Sequence, residues 1–347
     1  MTLGPGACEP AAGGAGLILA RPHRPANGPD FLCVGAQKAG TQWLYDQLQH
    51  HPDFWMPPIK ELHYFDGLQG GWRKAENLYR RVCEDRAGTN CDRIGRNEAP
   101  VDQRGVDFLC RFLRLNRSRI RFERFGELAG DLLPGYGTLH RRGLQPLLRP
   151  HWRINLEAYA GLFAAKGSEL TGDITPGYST LQSGVVKRIM ARFPELRVVF
   201  VARDPIERLW SAVLMWARKG RAEWPVNKAK LAMLLKKRHV RKRTFQTQVV
   251  ARWRRYVPEG QFGLFLFDEL IHRPTEFRAQ ILTFLGGEPA KPSGTLPAGF
   301  NRKEARNKAP LPDDIRELLA RLLANELRDS AAQFGGPAAA WPAKYGL

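Results

Sequence analysis

Two stretches of the chain carry side chains whose types and spacing suit catalysis. In Lys60-Glu61-Leu62-His63-Tyr64-Phe65-Asp66 a carboxylate and an imidazole stand two residues apart. On an extended backbone, residues i and i+2 share a face, which would set Glu61 beside His63 with Lys60 and Leu62 on the other side. Glu61 then suits a general base, and His63 its orienting partner or an alternative base. A plain Glu-His hydrogen bond on a solvent-facing strand is the competing reading. The second stretch is Gly35-Ala36-Gln37-Lys38-Ala39-Gly40-Thr41. A glycine-bounded loop between a buried strand and a helix start offers unpaired N–H groups and the positive end of a helix dipole to an anion.

Lys38 adds a mobile charge to that loop and Thr41 a hydroxyl. The spacing departs from the nucleoside-triphosphate loop, in which lysine directly precedes the Ser/Thr that holds Mg²⁺. Here Thr41 follows Gly40, and the lysine lies inside the loop. The pattern fits an anion cradle without a metal, or simply a glycine turn before a core helix. Arg203 and Ser211 form a second candidate anion site, because a guanidinium and a hydroxyl two helical turns apart can meet one phosphate together. A surface ion pair of Arg203 with Asp204 or Glu207 is the alternative.

These residues need elements to position them. Phe31-Leu32-Cys33-Val34 reads as a strand entering the loop and Gln42 to Leu48 as the helix leaving it, stopping near His50-His51-Pro52 because proline disfavours helical geometry in the preceding residue. Arg197 to Ala202 is a continuous apolar run of the kind buried in a parallel sheet. It feeds Arg203-Asp204-Pro205-Ile206-Glu207, where Asp204 suits the N-cap, Pro205 the first helical position and Glu207 a capping box. A helical pattern covers Asn155 to Phe163, and Leu170 to Tyr178 reads as a short extended run into a turn. Phe262 to Phe267 predicts a third buried strand, with helices from Arg273-Pro274 to Leu285 and from Pro312 to Leu327. Strands alternating with helices imply an α/β three-layer sandwich around a central parallel sheet.

Residues 1–29 are rich in Gly, Ala and Pro and are expected to form a mobile tail. Residues 30–347 read as a single domain, with an Arg-rich insertion at about 67–150 where the alternation is lost around short amphipathic pieces such as Phe108 to Leu115. The hydrophobic share of 43% supplies a sizeable core, and 54 Lys and Arg against 34 Asp and Glu leave a charge of +20, which favours anionic partners. Five cysteines without metal-ligand pairs fit a reducing compartment. No apolar run approaches the ~18 residues of a membrane span, so no transmembrane segment or signal peptide is read and a cytoplasmic location is expected.

Taken together, the loop from Gly35 to Trp43, Lys60 to Asp66, Asp173-Ile174-Thr175-Pro176-Gly177-Tyr178 and Arg203 to Ser211 resemble the ordered motifs of sulfotransferases that use 3′-phosphoadenosine 5′-phosphosulfate (PAPS), closest to the carbohydrate branch with the heparan sulfate 3-O- and N-sulfotransferases. The resemblance implies transfer of a sulfuryl group to a hydroxyl or amine of an acceptor, expected to be a glycan, with adenosine 3′,5′-bisphosphate as product and no metal. It implies a P-loop-like phosphosulfate-binding loop in which Lys38, Ala39, Gly40, Thr41 and Gln42 hold the 5′ end and Trp43 stacks the adenine. Arg203 and Ser211 would hold the 3′-phosphate, with Arg302, Arg306 and Lys308 closing over the nucleotide. Glu61 falls at the catalytic base, Lys38 stabilises the leaving oxygen, and His63 and Asp66 match polar neighbours. Ile174 stands where the 3-O enzymes carry a lysine. No specific nucleic-acid partner is expected. The rival readings are a basic nucleic-acid or polysaccharide binding protein on the same fold, and an atypical nucleotide kinase, which the position of Lys38 disfavours.

Overall fold

The structure is a computed structural model that describes residues 28–67, 70–86, 101–115, 154–220, 227–291, 296–300 and 309–347. Its centre is a four-stranded parallel sheet of β1 (Phe31–Gly35), β2 (Gly172–Ile174), β3 (Arg197–Ala202) and β4 (Phe262–Leu266), in the order β2-β1-β3-β4. Leu32, Cys33, Val34, Val198, Val199 and Phe200 are fully buried. That is the burial their continuous apolar runs require, because side chains on both faces of a covered parallel sheet leave water.

Helices cover both faces. α1 (Thr41–Gln49) follows β1, α2 (Gly70–Arg86) and α3 (residues 103–115) come next, and α4 (Leu156–Leu162) precedes β2. Between β2 and β4 lie α5 (Ser183–Arg192), α6 (Pro205–Arg218), α7 (Lys228–Lys236), α8 (Arg238–Thr244) and α9 (Gln246–Arg254). α10 (Phe267–His272), α11 (Pro274–Leu285) and α12 (Asp313–Phe334) follow β4. Among the described residues no helix is long and apolar enough to cross a membrane.

Several elements differ from the sequence expectation, which named no helix at α5, α7, α8 or α9. α2 is a 17-residue helix inside the stretch read as lacking regular structure; its mean hydropathy is low, and what holds it is packing of buried Ala75 and partly buried Trp72, Leu78 and Tyr79 on the core rather than an apolar run. α10 was unforeseen because β4 passes into it at Phe267 with no turn residue between. α12 runs to Phe334, beyond Leu327, since Leu327 and Ser330 are still buried and Gly335, at φ 63, supplies the stop. Residues 1–27 of the tail, 87–100 and 116–153 of the insertion, and 301–308 lie outside the described residues.

The strand order puts the carboxyl ends of β1 and β3 side by side, with that of β2 next to β1. Ligands of open parallel sheets bind in that crevice, where successive connections leave in opposite directions.

Candidate active site

The glycine loop rises from β1 and is held by its neighbours. A Cβ at Gly35 would overlap the Phe200 ring, and Gly40 has φ 79 and lies against Leu270 and Phe267 of α10, so a side chain fits at neither position. Ala36 N donates to Val201 O at 2.8 Å, and Ala39 N to Ala36 O at 3.2 Å. The N-cap of α1 is Gly40, which offers no side chain to cap the first-turn N–H groups. Ala39 and Thr41 are buried at this start, while Gln42 turns back to donate to Asp46 Oδ1 at 2.9 Å.

Arg203, at the end of β3, joins this loop to the start of α6. Its Nη1 donates to Lys38 O at 2.9 Å, its Nη2 to Glu207 Oε2 at 3.2 Å, and its guanidinium lies over the Phe267 ring 4.5 Å from the centroid. The Gln246 side-chain amide clamps the same residue, accepting from Arg203 N at 3.1 Å and donating to Arg203 O at 2.6 Å. Arg203 and Ser211 line one cleft of about 210 Å³. The α6 start is capped by Asp204, which accepts from Ile206 N and Glu207 N. Glu207 does not complete the capping box; its carboxylate pairs with Arg203 and Lys344.

Glu61 and His63 do meet, at 3.7 Å from Oε2 to Nε2, but not by strand alternation. Residues 61–67 form no strand, and both lie in the left-handed region, Glu61 at φ 66 and His63 at φ 55. Among the described residues the only other non-glycine with positive φ is Lys38, at φ 75. Such conformations cost about 1–3 kcal/mol each and persist where surrounding structure over-determines them. Here the surroundings are explicit. Glu61 N donates to Ile174 O at 3.2 Å, and Tyr64 N to the Tyr178 hydroxyl at 2.9 Å. Tyr178 in turn donates to buried Asp173 at 2.7 Å, which also accepts from Thr175 at 2.6 Å and Tyr159 at 3.1 Å. Burial pushes the Asp173 carboxyl up against these three hydroxyl donors. Gly177 lies directly beneath His63 and Asp66, and Gly71 of α2 beneath the backbone of Glu61 and Leu62; an added Cβ would overlap Asp66 in the first case and Leu62 O in the second.

The charges on this turn are strongly paired. His63 Nδ1 lies 2.7 Å from Asp66 Oδ2; burial alone would lower the imidazole, but pairing with Asp66 and Glu61 raises it to about 9. The two carboxylates that flank the His63 ring, Asp66 and Glu61, thus favour its protonated form. Burial pushes the Glu61 carboxyl up, yet Lys60 at 2.9 Å, His63 and Lys74 at 3.3 Å outweigh it and hold it well below the ordinary carboxylate range. Lys74 comes from α2 and also donates to Lys60 O at 3.0 Å.

Trp43 is a further correction. It packs as a core residue against Phe277, 5.5 Å between centroids, with its indole N–H donating to Ala298 O at 2.7 Å, so it presents no open face on which adenine could stack. Ile174 is buried in the sheet. Arg302, Arg306 and Lys308 lie outside the described residues. The sequence reading missed Gln246, Lys74, Lys344 and the Asp173-Tyr178 support. Asp173 and Tyr178 stood inside a quoted motif, whereas no local spacing marks the other three.

A profile described as sulfotransferase family matches residues 29–290. No curated protein gives a significant sequence match. Among solved structures, a sulfotransferase from Alicyclobacillus acidocaldarius is 19% identical at a TM-score of 0.53, covering 90% of this chain and 98% of its own. The sulfotransferase domain of the Synechococcus PCC 7002 olefin synthase is 15% identical at a TM-score of 0.42, over 88% of this chain and 97% of its own. The first shares the fold. With the profile spanning most of the chain over the same loop, turn and helix start, the protein belongs to the sulfotransferase family.

Proposed function

We propose that the protein transfers a sulfuryl group from PAPS to a hydroxyl of a carbohydrate acceptor, with Glu61 as base. The observation that carries this reading is the coincidence of strain with chemistry: among the described residues the three left-handed non-glycine residues are Lys38, Glu61 and His63, and strain of this kind clusters at functional sites. The crevice suits the donor. The uncapped start of α1 with Lys38, Ala39, Gly40 and Thr41 would hold its 5′ end, and the cleft with Arg203 and Ser211 its 3′-phosphate, the two tied by the Arg203 to Lys38 hydrogen bond. PAPS supplies the electrophilic sulfuryl group and a bisphosphate leaving group.

The residues of the chain do the rest by position and charge. Glu61 is ionised, as a base must be, and His63 holds it in place while Asp66 holds His63. Both Glu61 oxygens carry cations, so an acceptor hydroxyl reaches Oε2 by displacing the half-exposed ammonium of Lys74. Lys38 stabilises charge on the departing oxygen. The Glu61, His63 and Asp66 spacing supports the carbohydrate branch. The basic helices α7 and α8 would supply contacts to an anionic acceptor.

Thermal unfolding with adenosine 3′,5′-bisphosphate against ATP with Mg²⁺ tests the donor. A ligand at a hundred times its dissociation constant adds about 2.7 kcal/mol, and stabilisation by the bisphosphate is expected. Stabilisation by ATP with Mg²⁺ alone points to a kinase, and none with either nucleotide to a binding protein. Sulfur-labelled PAPS with a panel of glycans and small alcohols then identifies the acceptor.

A further inference from the structure

The cleft at the start of α6 holds more charge than Arg203 and Ser211 account for. Its walls also include Glu207, Arg316 of α12 and Tyr345 of the turn Ala343–Tyr345. Tyr345 donates its hydroxyl to Asp204 Oδ2 at 2.7 Å, which pins this turn over the α6 start. The adjacent Lys344 then pairs with Glu207 Oε1 and lies 3.4 Å from Asp204 Oδ2. Glu207 thus sits between two cations, Lys344 on one oxygen and Arg203 on the other. A carboxylate is the wrong charge for the wall of an anion site. Nor does it cap the helix, since Asp204 does that alone. Its geometry is that of an occupant: a single negative group bridging the cations an incoming phosphate would need.

Resting on the PAPS reading above, we propose that Glu207 is an internal counter-ion for the 3′-phosphate position, and that Lys344, with Arg316, is a phosphate ligand contributed by the last helix and the turn after it. A phosphate monoester carries about −1.5 to −2 charge and three acceptor oxygens, against one charge and two oxygens for Glu207. It therefore satisfies Arg203 and Lys344 together better than the carboxylate does. The Glu207 side chain is 38% exposed and turns to solvent when displaced. The exchange keeps the cations paired in both states, and the affinity for the phosphate is set by its difference from Glu207.

Calorimetric titration of the full chain with adenosine 3′,5′-bisphosphate and with AMP, which lacks the 3′-phosphate, reads this directly. Lys344→Ala is expected to weaken bisphosphate binding about tenfold, about 1.4 kcal/mol, and leave AMP unchanged. Glu207→Gln is expected to tighten bisphosphate binding severalfold and also leave AMP unchanged. Bisphosphate affinity unaltered by Lys344→Ala, or weakened by Glu207→Gln, overturns the proposal. So does an equal loss for both ligands accompanied by a lowered Tm, which would make the cluster a structural clasp. If the wild-type chain binds neither nucleotide, the PAPS reading itself fails; if it binds the bisphosphate while both variants are indifferent, only this inference does.

Discussion

The junction from Arg203 to Ser211 and the turn from Lys60 to Asp66 both lie at the carboxyl end of the parallel sheet, and they are built in opposite ways. At the junction, local rules suffice. An apolar strand ends, Asp204 caps, Pro205 begins the helix, and Ser211 arrives two turns later. At the turn, local preference is violated at Glu61 and His63, and the conformation is imposed from outside by β2, Tyr178, the Asp173 hydroxyl cluster and the close approach of α2. A binding site for a common anion can be assembled from generic helix-start chemistry. The Glu61 carboxylate, by contrast, is held in place by residues far away in sequence.

The largest expected difference between the two regions is in rate. Glu61→Gln should lower kcat by about 10²–10⁴ while leaving bisphosphate affinity intact; unchanged turnover would transfer the role of base to another group. Next comes the support of the turn. Gly177→Ala should cost about 1–3 kcal/mol of stability by overpacking and disturb the His63 to Asp66 pair, read as a lowered Tm together with a lost rate. A neutral outcome would show that the turn is not over-determined. At the junction, Asp204→Ala removes a cap worth about 0.5–2 kcal/mol; denaturant unfolding should show that loss, with kcat on bound donor little altered. The smallest effect is in pH dependence. His63 is raised in the folded protein from 6.5 to about 9, so its pairing stabilises fully below pH 6.5 and is lost as pH rises through about 9. The Tm of the wild type should fall across that window, and Asp66→Asn should flatten the fall.

The same contrast explains what could be read from the sequence. Continuous apolar runs marked β1, β3 and β4, and Asp204-Pro205 marked the start of α6, because those signals depend on burial and capping that act within a few residues. The extended reading of Lys60 to Asp66 failed since neither Glu nor His advertises a left-handed backbone as Gly or Asn does. Trp43 shows a different ambiguity: an aromatic on a helix behind a ligand loop serves a base or a core equally by type, and only Phe277 and Ala298 decide for the core. Lys74, Gln246 and Lys344 reach their partners across 13, 43 and 137 residues, beyond any local pattern.

The hydrogen bond from Lys74 to Glu61 has a bearing on redesign. α2 opens the insertion, and its ammonium depresses the basicity of the carboxylate expected to take the acceptor's proton. A chimera that exchanges this segment to change the accepted substrate would also exchange that charge. Under the proposed function, acceptor range and proton affinity would then be inherited together, and a graft that retains the position of Lys74 would separate them.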